Sequence, residues 1–191
     1  MRLLAVLLLI SNFAWANGAM QLNGIEEFPK AEQQKLRLWL DQSFNAAHQV
    51  LGPYPLLTQV YLSRRTASEP VPWAYTQRMD KQQVFFQVDS SFDLSEFQQD
   101  WTSAHEFSHL ALPLLDRKDL WFAEGFASYM QYQVLQQQQQ LTGSPASWYQ
   151  QKLQQVAPLL QASELALVAQ LKLWLQQRRY KVAYWGSTLF F

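Results

Sequence analysis

Two histidines and two glutamates are spaced so that they could do chemistry together. His105-Glu106-Phe107-Ser108-His109 has the form His-Glu-x-x-His, and a further carboxylate follows in Trp121-Phe122-Ala123-Glu124-Gly125. Residues i and i+4 share one face of an α-helix, so both imidazoles can reach one ion. Catalytic zinc takes three protein ligands and keeps one position open for water. Glu124 is the natural third ligand. Glu106 lies at the edge of the ligand face, where it reaches a bound water rather than the ion. Zinc lowers the pKa of such a water to about 7. Glu106 would accept its proton and pass it to a leaving amine. The expectation is one Zn2+ per chain, held by His105, His109 and Glu124, with Glu106 as general base and acid in hydrolysis.

The other polar groups nearby have simpler readings. The chain has only three histidines, and the third, His48, has no partner at ligand spacing. It reads as structural or surface. Ser108 reads as a spacer, since no free base is positioned for it. Ser103 and Glu106 have the form of a capping box. That role would engage Glu106 with backbone, so it is set aside.

The elements that must position these groups follow from pattern and punctuation. Pro29 opens a helical pattern that runs to about Val50 and is stopped by Gly52-Pro53. Leu57 to Leu62 reads as a strand. Trp73 to Thr76 and Val84 to Val88 read as two more, joined as a hairpin through Met79-Asp80-Lys81. One helix is predicted from near Gln98 to Leu112, ended by Pro113. A second is predicted from an Asp119 N-cap to about Gln140, antiparallel to the first, with Gly125 letting the two approach closely. Thr142-Gly143-Ser144-Pro145 breaks it. Further helices are expected near Pro145 to Leu160 and Ser163 to Gln177. The glutamine run Gln136 to Gln140 reads as an exposed helix end.

Composition bounds the function classes. At 191 residues the length fits one domain, and 49% apolar and 15% aromatic residues can build a sizeable core. The 15 basic and 15 acidic residues balance, with no basic stripe for nucleic acid. With no cysteine, disulfides, thiolate metal sites and thiol nucleophiles are excluded. Arg2, the apolar run Leu3 to Ile10 and Ala14-Trp15-Ala16 form a signal-peptide pattern over residues 1–16. The mature domain is then 17–191. The run is too short to span a bilayer, so no stable membrane span is expected after cleavage, and the location implied is secreted or periplasmic. The end at Leu189-Phe190-Phe191, inside an apolar stretch, reads as an incomplete C-terminal part.

His105-Glu106-Phe107-Ser108-His109, with the long segment Asp119 to Tyr129 around Glu124, resembles the gluzincin metallopeptidases, near the aminopeptidase N and glycyl aminopeptidase families. The resemblance covers roughly residues 55 to 191 and is specific in the two metal segments. It implies an α+β, thermolysin-like zincin domain. A small N-terminal β-sheet packs on the helix bearing the two histidines, and a mostly helical half follows. It implies a peptide or protein substrate. It also implies a downstream tyrosine donating to the oxyanion: Tyr184 in Ala183-Tyr184-Trp185-Gly186, with Tyr180 as the fallback. The Val84 to Val88 strand could be the edge strand that pairs with an extended peptide. No Gly-x-Met-Glu-Asn segment lies upstream, so aminopeptidase activity does not carry over. The alternative reading is a catalytically silent zincin-like module that binds a peptide or partner.

Overall fold

A computed structural model describes residues 18–191. The signal-peptide pattern of residues 1–16 lies outside the described residues. The architecture is α+β, with a four-stranded mixed sheet and seven α-helices among those residues. The strands are β1 (Met20–Asn23), β2 (Thr58–Arg64), β3 (Trp73–Arg78) and β4 (Gln82–Val88). Their order is β1-β2-β4-β3, with β3 antiparallel to β4 and the other pairs parallel. The helices are α1 (Lys30–Leu51), α2 (Leu94–Gln99), α3 (Thr102–His109), α4 (Leu120–Gln137), α5 (Pro145–Gln161), α6 (Leu167–Gln176) and α7 (Tyr180–Ser187).

Alternation in β2 and β4 sends Val60, Leu62, Val84, Phe86 and Val88 into the core. Leu36, Trp39, Leu40 and Phe44 of α1 meet them there. Phe107 of α3 closes the cluster, with its ring 5.3 Å from Phe44 and 6.0 Å from Phe86. All eight residues of α3 are buried, including its polar ones. Burial of polar groups is tolerable when they are hydrogen-bonded. Ser103 Oγ lies 2.8 Å from Ser43 Oγ, and Ser108 Oγ donates to the Ala104 carbonyl at 2.7 Å. A helix enclosed in this way is a rigid mount for the two histidines.

The structure departs from the sequence expectations at several points. The segment predicted as one helix from Gln98 is two, because the chain turns at Asp100-Trp101. The Asp100 carboxylate accepts from the Thr102 N–H at 2.8 Å and starts α3 afresh. At the other end, Leu110, Ala111 and Leu112 tighten into i→i−3 bonds before Pro113, which disfavours helical geometry in the residue before it. Asp119 occupies the N-cap position of α4, but its side chain makes no cap hydrogen bond. Ser144 does cap α5, accepting from Ser147 N–H with Pro145 at the first turn. A capping box stands at Asp93 and Glu96, and Ser103 and Glu106, set aside as one, both lie inside α3. β1 and α7 are additional elements. The edge strand of the sheet beside α3 is β3, not the Val84 to Val88 strand, which lies between β2 and β3. Among the described residues, no helix is long and apolar enough to cross a membrane.

Candidate metal centre

His105, His109 and Glu124 converge. The Glu124 carboxylate Oε2 lies 3.2 Å from His105 Nε2 and 3.6 Å from His109 Nε2. One donor atom from each residue falls within 4.8 Å of the other two, so the three could hold a metal ion. The contacts run in opposite directions along the two helices. His109 meets Glu124, while His105 meets both Glu124 and, further along α4, Gln131. That is the pattern antiparallel neighbours require.

Charge reinforces the convergence. Burial alone would raise the Glu124 carboxyl. The adjacent His109 and the hydrogen bonds from both imidazoles outweigh it and hold the group well below the usual carboxylate range. Burial alone would lower His109, yet Glu124, with a smaller contribution from Glu106, leaves it above its ordinary value. The three side chains are thus electrostatically coupled where they meet.

Gln131 orients His105. Its Oε1 lies 3.1 Å from His105 Nδ1, and the amide is buried. If Nδ1–H donates to Gln131, neutral His105 can offer its Nε2 lone pair to an ion in place of the hydrogen bond to Glu124. Partners of this kind fix tautomer and ring angle, and losing them weakens metal affinity by about 10–100-fold. Gln131→Leu is expected to show a loss of that size in competition with a chromogenic chelator. Unchanged affinity would remove Gln131 from the site.

Glu106 is buried at 7% exposure and lines the same cleft. Thr76 of β3 holds it from the sheet side. Thr76 Oγ1 is 2.8 Å from Glu106 Oε2 and 2.9 Å from the Glu106 carbonyl oxygen. The hydroxyl has one proton, so it donates to one of these at a time.

Tyr184 is brought to the cleft, with its ring stacked 5.9 Å from that of His105. Burial, and then the facing Glu124 carboxylate, push its phenol well above the usual range. It is therefore a neutral hydrogen-bond donor. Tyr180, one turn earlier, is exposed and lines a neighbouring cavity instead. Of the two tyrosines, Tyr184 is the one near His105 and Glu124.

The close approach expected at Gly125 is made by α7 rather than by α3. A Cβ there would lie 2.5 Å from Ser187 Cβ and 2.9 Å from the Ser187 carbonyl carbon and oxygen. The glycine admits α7, the helix that carries Tyr184. His48 is structural: its ring packs 4.1 Å from Phe44 and 4.5 Å from Tyr54.

The groups face a cleft of about 410 Å3. Residues 73–76 of β3 form one rim, and Trp101 stands edge-on to His105 at 5.3 Å. Arg78 also lines it and donates to the Pro113 carbonyl at 3.0 Å. Thr76, Arg78, Trp101 and Gln131 were absent from the sequence-based site. Thr76 and Arg78 come from β3, far from the motif in sequence. Trp101, one turn before His105, and Gln131, two turns after Glu124, stand at helical spacing, but their residue types do not mark metal chemistry.

No protein-family model matches the chain, and no curated protein matches it.

Proposed function

We propose that the protein is a zinc metallopeptidase of gluzincin type with a thermolysin-like zincin fold. The observation that carries this reading is the convergence of His105 Nε2, His109 Nε2 and Glu124 Oε2 beside the buried Glu106, in one cleft. Tetrahedral zinc, with bonds of about 2.0–2.2 Å, places its donors about 3.3–3.5 Å apart. The separations of 3.2 and 3.6 Å from Glu124 are close to that spacing, and all three donors lie within 4.8 Å of one another. Two imidazoles and a carboxylate are also a donor set that zinc accepts, with a fourth position left open.

When bound there, zinc would supply a Lewis acid and lower the pKa of water at its open position to about 7. The chain's own groups do the rest. Glu106, oriented by Thr76, takes a proton from the attacking water and returns it to the leaving amine. Tyr184 donates its phenolic hydrogen bond to the oxyanion that forms on the carbonyl. Gln131 keeps His105 in the ligating tautomer. The outer edge of β3 borders the cleft, and an extended peptide can pair with it as a further strand, which favours a peptide substrate over a small ester or amide.

The test is metal analysis joined to turnover. Protein purified without chelator is expected to contain about one zinc per chain and to cleave members of a peptide library. Activity should vanish on chelation and return with zinc. Metal-free protein after zinc loading, or zinc-loaded protein inert on every peptide, would sink the reading.

A further inference from the structure

A second cavity of about 430 Å3 adjoins the metal cleft. Trp101 and Tyr184 belong to both walls, so the two spaces meet at that pair. Gln131, which holds His105, also faces the second cavity. A substrate residue close to the bond under attack would therefore lie next to it.

The two spaces differ in charge. The metal cleft is lined by Glu69, Glu106 and Glu124. The second cavity has no carboxylate in its wall and has two ammonium groups, Lys152 of α5 and Lys181 of α7. Neither lysine has an ion-pair partner among the described residues. Lys152 is half-buried, with its Nζ 5.5 Å from the Trp185 ring centre and 5.9 Å from that of Trp148. Burial and the neighbouring Lys181 both lower its pKa. An anion entering the cavity would offset the repulsion between the half-buried Lys152 and the exposed Lys181 at its rim. The floor is aromatic, with Tyr132 and Trp185 stacked at 5.5 Å. Such a floor suits the apolar stem of a residue whose far end is charged.

We propose that this cavity is a substrate subsite for a carboxylate, held by Lys152 and Lys181. The assignment rests on the peptidase reading for what the cleft does. The carboxylate is either an acidic side chain or the free C-terminus of the peptide, since both present the same group.

Titration calorimetry on metal-loaded Glu106→Gln protein tests this without turnover. The probes are one capped peptide carrying Glu, Gln or Lys at successive positions, and the same peptide as free acid and as amide. One carboxylate form is expected to bind about tenfold tighter than its neutral counterpart, the scale of one charge-assisted hydrogen bond. Preference for Glu identifies the side chain as the source, and preference for the free acid identifies the C-terminus. Lys152→Gln and Lys181→Gln should each remove most of the preference. Lys181 is exposed, so its variant decides the matter even if Lys152→Gln fails to fold. Equal binding of all forms, no binding of any, or a preference that survives Lys181→Gln would overturn the subsite. Turnover of the parent protein, measured in parallel, separates the two claims. A charge preference without cleavage refutes the peptidase and keeps the subsite. Cleavage without a charge preference does the reverse.

Discussion

Replacing Glu106 by glutamine is expected to lower peptide turnover about 100- to 10,000-fold, the range for loss of a positioned general base, while leaving the metal bound. Glu106 is not among the three converging ligand atoms, so its removal takes no donor from the ion. The substitution is nearly isosteric. The amide oxygen still accepts from Thr76 Oγ1, which stands 2.8 Å from the carboxylate, and the buried side chain keeps its place. What is lost is the capacity to take a proton from water. Glu124→Ala is the contrasting variant: it removes a ligand and is expected to lose metal and turnover together. Zinc content and kcat measured on both variants separate the roles. A peptide-binding module without catalysis would show Glu106→Gln binding and behaving like its parent, and that result would move the assignment to the silent alternative.

The convergence of His105, His109 and Glu124 was legible in the sequence because its geometry is local. The i, i+4 spacing of His105 and His109 is a property of any helix, and the Glu124 segment announces itself by its apolar helical context. The β3–β4 hairpin was legible for the same reason. What the sequence could not show depends on partners distant in the chain. β1 is four residues long and acquires its status as a strand only by pairing in parallel with β2, across the whole of α1. Thr76 contacts Glu106 only because β3 is the sheet edge against α3. Gln131 reads as one glutamine among many until His105 is seen beside it. The break at Asp100-Trp101 had a local cause, the Asp100 carboxylate on Thr102 N–H, but the continuous helical pattern around it hid the turn. The role expected for Gly125 named the right property, close approach, and the wrong neighbour. That error matters, because the true neighbour carries the tyrosine.

Gly125→Val is expected to lower stability by about 1–3 kcal/mol, the cost of overpacking a filled site, and to lower kcat with zinc content unchanged. The first Cβ already falls 2.5–2.9 Å from Ser187, and two of the three atoms it meets are backbone. Backbone cannot rotate aside as a flexible side chain can, so α7 must move as a body. Ser187 itself is fully buried, with its Oγ donating to the Ala183 carbonyl at 2.8 Å, which leaves it no space to retreat into. Tyr184 sits one turn earlier on α7, so displacing Ser187 displaces the phenol that faces Glu124. The three proposed ligands sit on α3 and α4, and zinc affinity should be spared. Gly125→Ala refines the test. Alanine gains about 1 kcal/mol over glycine in a helix interior, so a variant no more stable than its parent already reveals an opposing clash of similar size. Denaturant midpoints measure the first effect, and the ratio of kcat to zinc occupancy measures the second. An alanine variant more stable than the parent by its full helix-propensity gain, with kcat intact, would mean that α7 does not press on Gly125 and that Tyr184 is positioned by something else.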